Sequence, residues 1–74
     1  MNVYLAKEKG TEALMDYLVS SGIAERCDVE DLKYEGDEYG ETVEITYKGG
    51  SIKRINVTWN SMLAITHEVI EALY

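Results

Sequence analysis

Two runs of alternating apolar and polar residues, joined by a glycine pair, constrain the fold of this chain more than any other feature. Residues 41–48 and 52–59 place apolar side chains at alternate positions, with Gly49-Gly50-Ser51 between them. A period of two is typical of strands buried on one face, and paired glycines favour hairpin turns. The pattern therefore predicts an antiparallel hairpin. Its apolar face would hold Val43, Ile45, Tyr47, Ile55, Val57 and Trp59.

The register of this hairpin follows from keeping the apolar side chains together. A two-residue turn at the glycines would set Ile45 opposite Arg54 and mix the two faces. A three-residue loop instead sets Ile45 opposite Ile55 and Val43 opposite Val57. We therefore predict the three-residue loop, with one glycine at a positive φ.

A helix is predicted to follow the hairpin, from Asn60 to Tyr74. Asn60 is a favourable N-cap, because its side chain accepts a hydrogen bond from a free backbone N–H. Apolar residues then recur three and four positions apart, as on a helix with one buried face. This stripe would cover the apolar side of the hairpin. It consists of Met62, Ile65, Val69 and Leu73, widened by Leu63 and Ile70.

The beginning of the chain predicts a second helix. Residues 1–6 fit either a short edge strand or a helix, so their structure stays open. Thr11 is predicted to be the N-cap of the helix. Gly22 suits the left-handed position just after its last turn. The inward stripe would be Leu14, Met15 and Leu18.

The middle of the chain predicts a third strand. Residues 24–31 are interpreted as a connection, and residues 32–35 alternate as a short strand. An even-numbered loop over the turn residues 36–40 would set Leu32 opposite Val43, on the inner face.

These elements predict an α+β fold. Residues 1–74 would form one small domain, a two-layer α-β-β-β-α arrangement with a three-stranded antiparallel meander and both helices packed on one face. A chain of this length buries only about 60% of its unfolded surface. A homodimer is therefore an open alternative, with Ile70 and Tyr74 as candidate contacts.

The net charge of −7 is concentrated in one segment. Residues 28–44 hold eight acidic residues and one lysine, whereas the rest of the chain holds six acids and six bases. Clustered charge of one sign speeds encounter with an oppositely charged surface. The segment therefore predicts a non-catalytic interaction module for a basic protein partner. The candidate partner-binding residues are Glu30, Asp31, Glu35, Asp37, Glu38 and Glu41.

Two other interpretations of the acidic segment stay open. It could mimic the phosphates of a nucleic acid and inhibit a nucleic-acid-binding protein. It could also be a solvated edge that keeps a small protein soluble and shields an exposed strand.

The sequence predicts no catalytic residue, cofactor or metal site. His67 and Glu71 are spaced for one helix face, but a zinc-protease pattern needs a second histidine, and the chain has one. Cys27 lies between Arg26 and Asp28, and no family signature of a catalytic cysteine surrounds it. No glycine-rich strand-to-helix turn is present that would cradle a phosphate. We therefore expect a protein that is not an enzyme.

Nucleic acid and membrane are not expected partners. The element order resembles that of the double-stranded RNA-binding domain, in order alone. That resemblance implies lysines at the start of the last helix, but residues 60–64 contain no base. An acidic surface also cannot gain affinity from counterion release. No run reaches the ~18 apolar residues of a membrane span, and the first residues lack the basic start of a signal peptide, so a cytoplasmic location is expected.

Overall fold

The computed structural model describes residues 2–74 and shows an α+β fold of three helices and one sheet. In chain order the elements are α1 (Val3–Ser20), α2 (Ile23–Arg26), β1 (Val29–Asp37), β2 (Gly40–Tyr47), β3 (Ile52–Asn56) and α3 (Met62–Leu73). The three strands form an antiparallel meander in the order β1-β2-β3. The predicted sheet with its helical layer is confirmed, and the short α2 is an addition to it. No helix within these residues has the length and apolar character that crossing a membrane requires.

The core lies between the helices and the inner face of the sheet. The predicted stripes of α1 and α3 are confirmed, since Leu18, Ile65 and Val69 are fully buried. Leu63 was expected to widen the α3 stripe, but 81% of its surface is exposed. The fully buried apolar side chains are Leu18, Val43, Ile45, Val57, Ile65 and Val69.

α1 begins earlier than predicted and includes Gly10. Of residues 1–6, which the sequence left open between strand and helix, Asn2 precedes the helix, residues 3–6 are helical, and residue 1 lies outside the described residues. Asn2 is the N-cap, since its Oδ1 accepts from the N–H of Tyr4 at 2.9 Å. Thr11 is therefore not the cap. It is buried inside the helix, where its hydroxyl donates to the Lys7 carbonyl at 2.8 Å.

Gly10 is tolerated within the helix because α3 packs closely against it. A Cβ atom at this position would lie 2.6 Å from the Sδ of Met62. The residue that resembled a helix boundary in the sequence is thus a point of contact between two helices.

The segment between α1 and β1 is more ordered than predicted. Gly22 adopts φ +82°, so its predicted left-handed conformation is confirmed. Ile23–Arg26 then forms α2 where a connection was expected, and β1 begins at Val29 instead of Leu32. The side chain of Ala24 is buried, so α2 packs against the core.

Both hairpins differ from the predicted register by two residues. Val43 pairs with Ile55 instead of Val57, and Leu32 pairs with Ile45 instead of Val43. A shift of two leaves every side chain on the same face of its strand. The predicted faces are therefore kept although the predicted partners are wrong.

The turns account for these registers. The Asp37 side chain accepts from the N–H of Gly40 at 3.1 Å, which closes a two-residue turn between β1 and β2. At the second hairpin, the N–H of Tyr47 donates to the Ser51 carbonyl at 2.9 Å. The three residues between them include Gly50 at φ +92°. The predicted loop length and positive-φ glycine are confirmed, but the loop lies one residue earlier than predicted.

β3 ends before the aromatic residue that was expected to complete it. Trp59 was placed on the inner face of the sheet, but it lies beyond β3 and 90% of its surface is exposed. The cap of α3 also differs, since the Ser61 hydroxyl accepts from the N–H of Ala64 at 3.1 Å. Asn60 belongs instead to a turn, in which its N–H donates to the Val57 carbonyl. This turn separates β3 from α3.

Candidate functional site

A groove runs between the N-terminal half of α1 and β1. It has a volume of about 1010 Å³ and is open to solvent. One wall is formed by α1, from Asn2 to Glu12, and the other by residues 31–39 of β1 and the turn that follows. Because β1 is the first strand of the sheet, the groove follows a sheet edge.

The groove is strongly acidic. It is lined by six carboxylates and one lysine, an excess of five negative charges. Lys33 lies with its Nζ 3.0 Å from Glu35 Oε1, and both side chains are exposed. The bond to Glu35 raises the pKa of Lys33 above its ordinary value. The six carboxylates belong to Glu8, Glu12, Asp31, Glu35, Asp37 and Glu38.

The main chain of β1 contributes to the groove at alternate residues. In an antiparallel pair, residues alternate between those that bond the neighbouring strand and those that point away. The Glu41 carbonyl accepts from the N–H of Val57, so the odd-numbered residues of β2 bond toward β3. The even-numbered residues of β2 therefore bond β1, at partners such as Glu35. The main chain left facing the outer edge belongs to Leu32, Tyr34 and Gly36.

This outer edge is available for pairing. Within residues 2–74, β1 has a strand on one side only. The side chains of Leu32 and Tyr34 are buried in the core, so an added strand would meet the edge mainly through main-chain groups. The groove thus combines unpaired backbone donors and acceptors with an acidic rim, by which we mean the six carboxylates that line it.

Four of the six predicted partner-binding residues line this groove, namely Asp31, Glu35, Asp37 and Glu38. Glu30 is exposed but lies outside the groove, at the irregularity where β1 shifts register between Val29 and Asp31. The sixth residue, Glu41, occupies a different environment.

Glu41 was expected on the exposed acidic edge, and this placement is wrong. Only 6% of its surface is exposed. Its Oε1 lies 2.6 Å from Lys7 Nζ and accepts from the Tyr34 hydroxyl at 2.7 Å, and its Oε2 accepts from the N–H of Trp59 at 2.9 Å. The carboxylate is buried because three different parts of the chain supply it with donors.

These contacts also determine the ionisation of Glu41. Burial on its own would raise the pKa of the carboxyl, but the hydrogen bonds from Lys7, Tyr34 and the Trp59 N–H outweigh it and hold the pKa below its ordinary value. Burial and the bond to Glu41 raise the pKa of the Tyr34 phenol. Glu41 is therefore an ionised internal residue that joins α1, β1 and the turn before α3.

A smaller cavity continues from one end of the groove. Its volume is about 200 Å³, and it shares Tyr4, Asp37 and Glu38 with the groove. Trp59 lines this cavity but not the groove. Tyr39, which lines the groove, is also 88% exposed. Large exposed aromatic side chains therefore stand at the end of the acidic groove.

The negative charge is distributed differently from the sequence expectation. Glu35, Glu41 and Glu44 each form an ion pair, with Lys33, Lys7 and Arg54 respectively. Three of the eight carboxylates in residues 28–44 are therefore paired with a neighbouring cation, and one of these pairs is buried. The groove instead gains two carboxylates from α1.

Glu8 and Glu12 were missed because the helix was predicted to start at Thr11. Their spacing of four residues places them on one face of α1, and both line the groove. Had Asn2 been predicted as the N-cap, the sequence would have placed Glu8 and Glu12 on the same helix. Trp59 was missed because alternation placed it inside the sheet.

The residues considered for metal or nucleophilic chemistry lie apart. His67 Nε2 is 3.0 Å from Glu71 Oε1 on the exposed face of α3. Cys27 is half-buried, and its Sγ lies 3.8 Å from the Leu73 carbonyl. Among residues 2–74, no three side chains of the metal-binding types gather at one point.

Comparison with protein-family models, with curated proteins and with solved structures gives no match for this chain.

Proposed function

We propose that this protein is a non-catalytic interaction module that binds a basic, extended segment of a partner protein in the groove between α1 and β1. The observation that carries the proposal is the coincidence of an open strand edge with an acidic rim. Main-chain pairing at such an edge supplies affinity, and side chains beside the edge supply selectivity.

Charge favours a basic partner over a second copy of this chain at the groove. Two β1 edges that paired with each other would bring Asp31, Glu35 and Asp37 close to the same residues of the other copy. Like charges placed opposite each other are destabilising. A segment carrying lysine or arginine would instead gain attraction along the whole groove.

The single cysteine is consistent with a reducing compartment, so we place this activity in the cytoplasm. A basic segment exposed by another cytoplasmic protein is the corresponding partner class.

A labelled nine-residue peptide of alternating lysine and threonine, matched to the nine residues of β1, tests the proposal. Fluorescence anisotropy would follow its binding at about 50 mM and about 300 mM salt. We expect the affinity to fall about tenfold at the higher salt, because exposed charges are then screened. Absence of binding at low salt would leave the acidic rim as a solubilising edge.

A charge-matched pair of variants locates the binding site. Glu8→Gln with Glu12→Gln removes two charges from the groove, whereas Asp16→Asn with Glu25→Gln removes two exposed charges outside it. We expect the first pair to weaken binding several-fold more than the second. Equal weakening would mean that the peptide responds to net charge and not to the groove.

The conformation of the bound segment is tested with main-chain methylation. Methyl groups on alternate peptide nitrogens remove the donors that strand pairing requires while leaving the charge unchanged. We expect one of the two alternating patterns to abolish binding. Equal affinity of both methylated peptides would exclude strand addition.

The alternative of a homodimer is supported less well. Tyr74 is 74% exposed and Leu63 is 81% exposed, but Ile70 packs against the core. Leu63 and Tyr74 lie near opposite ends of α3, about 16 Å apart along the helix axis. Sedimentation at several concentrations tests this alternative, and a constant monomer mass would reject it.

The alternative of a nucleic-acid mimic makes a different prediction. A partner that recognised the carboxylates as phosphates would be released by competing DNA or RNA. The ion pairs at Glu35, Glu41 and Glu44 reduce the free charge that such mimicry would use.

A further inference from the structure

Trp59 occupies a backbone position that normally belongs to glycine. The Asn60 N–H donates to the Val57 carbonyl at 3.0 Å, which defines a four-residue turn with Trp59 in its third position. Trp59 has φ +68°, whereas Thr58 has no positive φ. A negative φ followed by a positive one indicates a type II turn, in which glycine or asparagine is usual at the third position. A bulky residue there is a genuine conformational outlier.

Packing within the fold does not explain this residue, because 90% of its surface is exposed. Its backbone is nevertheless held firmly. The N–H of Trp59 donates to Glu41 Oε2 at 2.9 Å, and the Thr58 hydroxyl accepts from the N–H of Glu41 at 3.0 Å. Backbone strain that the surrounding structure maintains is typical of functional sites.

The cavity beside Trp59 has the size and charge for a single cationic side chain. Its volume of about 200 Å³ is below the roughly 300–1,000 Å³ of small-molecule sites. Glu38 and Asp37 line it, and Glu38 forms no ion pair among residues 2–74. Lys7 also lines it, but the ammonium group is paired with Glu41. An indole and an unpaired carboxylate that line the same cavity are suited to a cation.

We propose that Trp59 and Glu38 form a subsite for one arginine side chain of the segment that binds in the groove. This inference rests on the proposed function and identifies the residue that the partner places at the end of the groove. Arginine fits better than lysine, because a planar guanidinium stacks on an indole and also pairs with a carboxylate through two N–H groups. The continuity of the two cavities through Tyr4, Asp37 and Glu38 would allow one peptide to occupy both.

The test uses the lysine–threonine peptide and versions in which one lysine, at each end in turn, is replaced by arginine, citrulline or norleucine. Trp59 is the one tryptophan in the chain, so its fluorescence reports directly on the subsite. We expect arginine at one end to bind about three- to tenfold more tightly than lysine and to change the tryptophan emission. Citrulline, which is planar but neutral, should lose this gain. Tightest binding by the norleucine peptide would indicate an apolar occupant and overturn the proposal.

Variants at position 59 separate recognition from folding. Trp59→Gly suits the positive φ, so it should fold, and it should remove the preference for arginine while the all-lysine peptide still binds. Tyr17→Ala removes an aromatic residue that is 57% exposed and lines neither cavity, and it should leave the preference intact. An arginine preference that survives in Trp59→Gly would overturn the subsite and leave the proposed function standing. Failure of wild-type protein to bind any basic peptide would overturn both.

Discussion

Glu41 shows how the environment of a single residue can reverse an expectation from charge. In the sequence it is one of eight acids in a short segment. In the structure it is buried and accepts from Lys7, Tyr34 and Trp59. An unpaired buried charge is costly, whereas a charge with several donors is tolerated. Glu41 therefore holds the walls of the groove together and is not available to a partner.

Replacement of Glu41 by glutamine should reveal this role through pH. At neutral pH we expect Glu41→Gln to lower the free energy of unfolding by about 1–3 kcal/mol, because Lys7 loses its partner. The folded protein holds the pKa of Glu41 below its ordinary value of 4.5. The stabilisation is therefore complete above that pH and is lost as pH falls toward the lower, folded pKa.

Urea unfolding at several pH values measures the effect. The difference between the wild type and Glu41→Gln should narrow below about pH 4.5, whereas Asp16→Asn, at an exposed position outside the groove, should cause a smaller loss of stability at neutral pH. A difference between wild type and Glu41→Gln that stays constant through the acid range would contradict the assigned role.

The starts of the two long helices were predicted wrongly because two residues near each start could serve as the N-cap. Asn60 and Ser61 are both good N-caps. Which of them caps α3 depends on the turn that places Val57 in the core and Trp59 outside it. Similarly, Thr11 is a plausible cap, but Asn2 starts the helix earlier. Local propensity identified the two long helices, and packing selected where they begin.

Alanine substitutions test the observed cap of α3. We expect Ser61→Ala to lower the free energy of unfolding by about 1 kcal/mol, because the N–H of Ala64 loses its acceptor. Asn60→Ala should have a smaller effect, below about 0.5 kcal/mol, because no helix N–H depends on its side chain. Thermal or urea unfolding of both variants gives the comparison. A larger loss of unfolding free energy for Asn60→Ala than for Ser61→Ala would show that Asn60 is the N-cap of α3.

At the scale of the whole molecule, the fold gathers like charges from distant parts of the chain. Glu8 and Glu12 on α1 line the same groove as Asp31 and Asp37 on β1. Such an arrangement destabilises the free protein slightly and favours a cationic occupant. If the groove binds a basic segment as we propose, this repulsion is the cost in stability that accompanies its selectivity.

Salt should stabilise the unbound protein. Raising the salt concentration from about 20 mM to about 200 mM shortens the screening length and should increase the free energy of unfolding by on the order of 0.5 kcal/mol. The Glu8→Gln and Glu12→Gln double variant should respond less than the Asp16→Asn and Glu25→Gln double variant, which keeps the groove charge. Equal responses would show that repulsion is spread over the molecule.

The sequence by itself determined the class of the fold, the order of its main elements and the faces of its strands. These follow from patterns that are local in the chain: alternation placed Val43 and Ile45 inside, helical spacing placed Ile65 and Val69 inside, and a glycine was required at the second loop. A change of register by two residues leaves the alternation unchanged, so the sequence could not decide which residues pair.

Only the tertiary structure decided the composition of the groove. Glu41 is buried because Lys7, 34 positions earlier in the chain, forms an ion pair with it. Glu8 and Glu12 line the groove because α1 packs beside β1. Trp59 remained outside because the hydrogen bonds of Glu41 hold its turn. Contacts between residues far apart in the chain leave no periodic trace in the sequence, so the acidic segment could be identified but the surface that presents it could not.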